Sequence, residues 1–215
     1  MRDNQPKHRQ MRKEQRKLAR QKGALQGMPA VLIVCEGRET EPNYIEGLCV
    51  HLGVNSAAVN VIRGESATDP VGLVRRARQL FTADGGYDLV YVVCDGDAPR
   101  LAEARQLARK ALRNSARERT QVQVVASSPS FEFWLLLHFE YSARPYRTAE
   151  ATDALRQHVT DYAKNDRNVF AKVSVGLDVA CQNADRLKAE LNRTGAQVPD
   201  TDMRSLVDQL ARMRK

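Results

Sequence analysis

Acidic side chains follow two strongly apolar segments of the chain, and their spacing could support metal-dependent chemistry. Glu36 comes directly after the apolar run 30–35, and Asp95 and Asp97 come after the apolar run 87–94. Alternate residues of an extended chain point the same way, so we expect Asp95 and Asp97 to share a face. Crowded carboxylates repel one another unless one takes a proton or a cation lies among them. Oxygen ligands of this kind suit Mg²⁺ or Mn²⁺.

Another acidic residue, Glu132, lies shortly after the valine-rich segment 121–126, which is also predicted to be a strand. Ordinary roles at a helix start also account for this segment, with Ser128 as the N-cap and Pro129 in the first turn. The D-x-D pattern by itself is common in turns, because Asp and Gly adopt turn conformations easily. Acidic residues after several apolar runs together favour a metal site over a set of unrelated turns.

Other polar side chains leave alternatives open. His138 lies in the apolar segment that follows Glu132, and we expect a hydrogen-bonded core histidine there, although its role stays open. Trp134, in the same segment, is expected to be a core residue. Lys164 could contact a phosphate, but a solvated lysine is the ordinary alternative.

Apolar runs alternate with helical patterns, which predicts βαβ units and a mostly parallel sheet flanked by helices. The predicted four strands lie at 30–35, 58–62, 87–94 and 121–126. Helices are predicted from Pro42 to about Leu52, from Asp69–Pro70 to near Gly85, and from Pro99 to about Arg117, with further helical patterns at 148–163, 176–193 and 203–213. Ligands of open parallel sheets bind beyond the carboxyl ends of the strands, where the acidic residues are expected.

The charge distribution predicts a basic N-terminal arm over residues 1–27. The strand and helix patterns predict an α/β core over 28–140 and a helical C-terminal part over 141–215 that packs on the core. Residues 1–22 hold nine Lys and Arg against two acidic residues, although the whole chain has a net charge of only +8. Such an arm binds polyanions by releasing counterions, and a solvated tail is the alternative. The candidate nucleic-acid contacts are Arg9, Arg12, Lys13, Arg16, Lys17 and Arg20.

Composition argues against several other classes of protein. No apolar run approaches the roughly 18 residues of a membrane span, and no apolar stretch follows the basic start as in a secretory signal. The four cysteines contain no C-x-x-C pair, so a disulfide framework or a zinc cluster is not expected. We therefore expect a cytoplasmic protein without a membrane anchor.

Three segments together resemble the RloB-like proteins of bacterial abortive-infection and restriction-linked loci. They are residues 34–44, residues 94–97 and residues 128–139. The resemblance extends from about residue 28 to the C-terminus and includes a weaker Tyr-x-Lys pattern at 162–164. RloB-like proteins are considered relatives of the Toprim fold, so the resemblance implies a Toprim-like α/β fold.

The resemblance to Toprim domains of OLD-family nucleases implies a two-metal site with Mg²⁺ or Mn²⁺. The implied metal ligands are Glu36, Glu41, Asp95, Asp97 and Glu132. Ser130 would support Glu132, and Glu36 and Lys164 would be catalytic, with Lys164 stabilising developing charge. A spacing one residue longer than in those nucleases leaves Glu39 open as an alternative to Glu41.

The implied function is a metal-dependent nuclease that acts on DNA or RNA in anti-phage defence. A non-catalytic nucleic-acid-binding or regulatory subunit of a defence complex is the alternative from another class. A phosphatase with a D-x-D nucleophile is weaker, because Glu36 would then lack a role. The sequence has no G-x-x-x-x-G-K-[ST], so ATP use would come from an AAA-type ATPase partner, which is often encoded beside the family. The oligomeric state stays open.

Overall fold

The structure, a computed structural model, describes residues 28–64, 69–114 and 119–214. The predicted basic arm and its candidate nucleic-acid contacts therefore lie outside the described residues. All four cysteines lie within the described residues and are free thiols. In these ranges no helix is both long enough and apolar enough to cross a bilayer.

A mostly parallel sheet of five strands forms the centre of the fold. The strands of the chain are β1 (Val31–Cys35), β2 (Val59–Ile62), β3 (Leu89–Asp95), β4 (Leu112–Arg113), β5 (Arg119–Thr120), β6 (Val122–Ser128) and β7 (Asp200–Thr201). The order across the sheet is β2-β1-β3-β6-β7, with only β7 antiparallel to its neighbour. The strands β4 and β5 pair separately and antiparallel.

Helices cover both faces of this sheet, and the C-terminal part is helical. They are α1 (Thr40–His51), α2 (Pro70–Asp84), α3 (Leu101–Ala108), α4 (Phe131–Leu136), α5 (Thr148–His158), α6 (Val169–Val173), α7 (Leu177–Thr194) and α8 (Met203–Ala211), with a 3₁₀ turn at Ser174–Gly176. The predicted limits of α2 are confirmed. The Asp69 carboxylate accepts from the Gly72 N–H at 2.8 Å, and Gly85 ends the helix with a φ of +61°.

Continuous hydrophobicity in β1 follows from burial on both faces of the sheet. Val31, Ile33 and Cys35 pack in a cluster with α1, α4 and the C-terminal helices. Leu32 and Val34 pack on the opposite face with α2 and α3. Because alternate strand residues point to opposite faces, every residue of β1 is apolar. Full burial of each large aliphatic side chain contributes about 1.5–3 kcal/mol.

Two sequence expectations about the elements need correction. The sheet has a fifth strand, β7, which was missed because a polar two-residue pair carries no strand pattern. It is fixed instead by pairing with β6 and by a 2.8 Å hydrogen bond between the hydroxyls of Ser127 and Thr201. The helix expected to reach about Arg117 ends at Ala108, because the chain then turns so that Leu112 packs in the core and pairs with β5.

Candidate active site

The carboxyl ends of the two central strands bring Glu36 and Asp95 together. β1 and β3 are neighbours, with Cys35 in register with Val93. The Glu36 N–H donates to the Val93 carbonyl at 2.9 Å and thereby extends the pairing by one residue. The Glu36 side chain then turns to the neighbouring strand, where Oε2 accepts from the Asp95 N–H at 3.0 Å. Parallel pairing therefore places two predicted site residues in direct contact.

The Asp95 carboxylate in turn binds the start of α4. Its Oδ1 accepts from the Phe131 N–H at 3.0 Å. That N–H is one of the donors that a helix start leaves without an intrahelical partner. The sequence expectation of Ser128 as N-cap and Pro129 in the first turn is wrong, because β6 ends at Ser128, Pro129 lies between strand and helix, and Ser130 occupies the N-cap position before Phe131.

The structure places the two candidate acids of the α1 segment, Glu39 and Glu41, in different surroundings. Glu41, in the first turn of α1, is buried, and its carboxylate packs against Gly37, where a Cβ would lie 1.9 Å from a carboxylate oxygen. Glu39 instead accepts from the Asn43 side-chain amide at 3.3 Å and pairs with Arg63 at 3.3 Å. Glu41 is therefore the acid of this segment that joins the buried carboxylates.

Two hydroxyl groups donate hydrogen bonds to the Glu132 carboxylate, and a lysine forms an ion pair with it. The Ser130 hydroxyl donates to its Oε2 at 2.6 Å, and the Tyr162 hydroxyl donates to its Oε1 at 3.0 Å. The Lys164 Nζ lies 3.4 Å from the same Oε1. Glu132 itself is only 4% exposed, whereas the Lys164 side chain is 62% exposed. The lysine therefore reaches the carboxylate from the solvent side.

The start of α1 positions the segment that carries Lys164. The Thr40 hydroxyl donates to the Lys164 carbonyl, and the Asn43 side-chain amide donates to the Asp166 carbonyl at 3.2 Å. These contacts and the role of Tyr162 were missed in the sequence. The available signal was weak: an aromatic residue two positions before a lysine, in a segment with few apolar neighbours.

These side chains surround a cavity of about 320 Å³, which we call the acidic pocket. Its lining includes Glu36, Gly37, Arg38, Glu39, Thr40, Glu41, Asp95, Phe131, Glu132, Lys164 and Asn165. The acidic pocket thus combines one lysine with carboxylates from four places: the residue after β1, the start of α1, the end of β3 and the first turn of α4.

Burial of like charges raises the proton affinity of most of these carboxylates. Burial raises the pKa of Asp95 to about 8, and the charges of Glu41, Glu36 and Glu132 add to this effect. The pKa values of Glu36 and Glu41 are also raised, chiefly by burial. Without a cation, the acidic pocket therefore keeps a proton on Asp95 at neutral pH.

Glu132 behaves differently from its neighbours. Burial acts to raise the pKa of Glu132, but the Ser130 hydrogen bond, the Lys164 charge and the Tyr162 hydroxyl bring it below its ordinary value. The Tyr162 hydroxyl shows the opposite shift, because burial and the Glu132 charge raise its pKa and so keep it a hydrogen-bond donor. Glu132 is therefore the ionised carboxylate to which the lysine is attracted.

Asp97 lies outside the acidic pocket. Its Oδ2 accepts from the Thr148 hydroxyl at 2.7 Å, at the start of α5. The expected shared face with Asp95 does not form, because β3 ends at Asp95 and a turn begins at Gly96. Burial is the main cause that raises the pKa of Glu36, and the negative charge of Asp97 raises it further.

The acidic pocket has carboxylate oxygens that suit a divalent cation, but they do not point toward a common centre. Across 28–64, 69–114 and 119–214, no group of three or more His, Cys, Asp or Glu side chains is arranged to hold a metal ion. Backbone N–H groups take one oxygen each of Glu36 and Asp95. The donor chemistry fits Mg²⁺ or Mn²⁺, and ligation would require these carboxylates to move toward a common centre.

His138 is a neutral core histidine, as the sequence predicted. Its Nδ1 must donate to the Trp134 carbonyl at 3.1 Å, so its Nε2 accepts from the Tyr44 hydroxyl at 3.0 Å. Burial lowers the pKa of His138 to about 4. Both ring nitrogens are therefore used within the core.

Comparison with known proteins identifies a family to which the chain is similar. A family model described as RloB-like protein matches residues 31–210. The matched range contains every residue of the acidic pocket. No curated protein and no solved structure matches the chain.

Proposed function

We propose that this chain, which belongs to the RloB-like family, is a Mg²⁺- or Mn²⁺-dependent nuclease of anti-phage defence with a Toprim-like fold. The observation that carries the proposal is the acidic pocket, where Glu36, Glu41, Asp95 and Glu132 meet beside Lys164. Ligand sites of open α/β sheets lie at this edge. We propose DNA or RNA as the substrate, the cytoplasm as the location and an AAA-type ATPase as a partner.

The proposed chemistry assigns separate tasks to the residues of the acidic pocket. Divalent cations would neutralise the phosphodiester and make a water molecule more acidic. Glu36 and Asp95 would hold the cation with the oxygens that the backbone N–H groups leave, and Glu41 would complete the ligand set. Glu36 would also accept the proton of the attacking water.

Lys164 and Glu132 form the other half of the proposed site. Lys164 would turn from Glu132 toward the phosphate and stabilise the charge that develops in the transition state. Tyr162 and Ser130 would keep Glu132 ionised and oriented while the lysine moves. Asp97 stays a predicted ligand that would have to leave Thr148 to reach the cation.

Cleavage of labelled DNA, RNA and tRNA in Mg²⁺ and Mn²⁺ tests this function. We expect cleavage by the wild-type chain, loss of at least about a hundredfold in Glu36→Gln, Asp95→Asn and Glu41→Gln, and full activity in Glu39→Gln. Glu39 is the matched control because it lies in the same segment but is bound to Arg63 and Asn43. Activity that persists in Asp95→Asn and Glu36→Gln would reject the site.

A non-catalytic nucleic-acid-binding or regulatory subunit is the second candidate. The observation that favours it is that, in the part of the chain that the structure describes, no three acidic, histidine or cysteine side chains are arranged to hold a metal ion. Calorimetric titration with Mn²⁺ separates the two functions. Saturable binding that is lost in Asp95→Asn supports the nuclease, whereas the absence of binding supports the regulatory subunit.

A further inference from the structure

A second cavity is lined by residues of the turn that follows β3, and we call it the side pocket. Its volume is about 660 Å³, and roughly 300–1,000 Å³ is typical of small-molecule sites. Its lining includes Asp97, Pro129, Tyr146, Arg147, Val198 and Pro199. Asp95 lines the acidic pocket and the next residue, Gly96, lines the side pocket, so consecutive residues of the chain line the two cavities.

The walls of the side pocket combine apolar groups with one aromatic ring and one arginine. Pro129, Val198 and Pro199 supply the apolar surface, Tyr146 the ring and Arg147 the guanidinium. Arg144 does not line the cavity, but its guanidinium stacks over one face of the Tyr146 ring, with its Cζ 4.2 Å from the ring centroid. Aromatic rings and guanidinium groups are the surfaces on which single-stranded nucleic acids stack their bases.

The charges of the side pocket favour a base over a phosphate. Asp97 lines the cavity, and its carboxylate already accepts from Thr148. A second anion beside it would be repelled, whereas the amino group of a base can donate to a carboxylate. Arg147 is exposed at the cavity and can contact the backbone that carries the base.

We propose that the side pocket binds the base of the nucleotide next to the phosphate that occupies the acidic pocket. The inference rests on the proposed function, because it takes the substrate strand to run from one cavity to the other across the segment 95–97. The ligand is therefore a single-stranded stretch of DNA or RNA, with one base out of its stack.

Binding of a short, labelled single-stranded oligonucleotide to the full chain tests the side pocket. The titration uses Mn²⁺ with an oligonucleotide of non-hydrolysable linkages, so that the cation is present without cleavage, and about 0.15 M salt to weaken contacts made by charge alone. We expect roughly tenfold weaker binding in Tyr146→Ala and in Arg147→Glu. Arg156→Glu is the matched control, since Arg156 lies on α5 but pairs with Asp153 outside the side pocket.

Thermal unfolding checks that each variant is folded. If Tyr146→Ala does not fold, Arg147→Glu alone tests the side pocket, because Arg147 is exposed and its replacement should not disturb the fold. Unchanged affinity in Arg147→Glu, or an equal loss in Arg156→Glu, overturns the side pocket even if the wild-type chain cleaves nucleic acid. Selective loss of binding by the side-pocket variants supports it, even if the wild-type chain fails to cleave and the nuclease proposal falls.

Discussion

At the scale of single residues, the contact between Glu36 and Asp95 links the fold to the proposed chemistry. Glu36 accepts from the backbone of Asp95, so its carboxylate is fixed by the same strand pair that brings the two residues together. Burial and the nearby charges of Glu41 and Glu132 then make an ionised carboxylate at Asp95 unfavourable. A proton or a cation must offset this repulsion.

Asp95→Asn should remove a pH-dependent loss of stability. Asp95 keeps its proton up to about pH 8 when folded, against an ordinary pKa of 3.8. Between these pH values the folded chain binds more protons than the unfolded chain, so stability falls as pH rises. Without metal at about pH 9, we expect the variant to melt about 2–8 °C above the wild-type chain.

Thermal unfolding between about pH 5 and pH 9 in EDTA measures this effect, with Asp153→Asn as the control. Asp153 is exposed on α5, pairs with Arg156 and does not line the acidic pocket. Parallel pH profiles of wild type and Asp95→Asn would show that Asp95 ionises normally.

At the scale of elements, the turn after β1 depends on close backbone packing by Gly64. The Gly64 N–H donates to the Gly37 carbonyl at 2.9 Å. A Cβ at Gly64 would lie 1.7 Å from the Glu36 carbonyl oxygen, and backbone atoms cannot yield as a flexible side chain can. The segment after β2 therefore presses directly on the turn that carries Glu36.

Gly64→Ala should destabilise the chain by roughly 1–3 kcal/mol, because overpacking must displace this turn. Gly86→Ala is the control, since the nearest atom that its Cβ would meet is the Asp84 carbonyl oxygen, at an ordinary contact distance of 3.7 Å. Urea unfolding compares the two. Equal midpoints for both variants would mean that the turn after β1 yields easily.

The parallel strands of the sheet could be predicted because β1 and β3 are continuous apolar runs and β2 and β6 are rich in valine, each between turn signals. The meeting of Glu36 with Asp95 followed from strand ends at one edge. The separation of Asp97 could not be predicted, because alternation applies only while the strand lasts, and β3 ends at Asp95. The contact between Tyr162 and Glu132 joins residues 30 positions apart, and local pattern does not encode it.

At the scale of the whole molecule, charge divides the chain into two parts. Residues 1–22 carry an excess of seven positive charges, and the remainder of the chain is close to neutral. Such a division separates general attraction to polyanions from chemistry at the acidic pocket. The two should therefore be removable independently.

Deletion of residues 1–22 should weaken nucleic-acid binding and flatten its salt dependence, because fewer counterions are released. The melting temperature should stay unchanged. Fluorescence anisotropy over a salt series measures the slope, which falls by about 0.9 for each lost phosphate contact to duplex DNA. An unchanged slope would show that the arm does not contact the nucleic acid.

The proposed nuclease depends on a divalent cation held in the acidic pocket by Glu36 and Asp95. A crystal of the full chain soaked in Mn²⁺ can reveal such a cation through the anomalous scattering of the metal. We expect a peak bonded to carboxylate oxygens of both residues, with the Asp95 proton released. A fully soaked crystal with an empty acidic pocket, or with manganese bound only elsewhere, would contradict it.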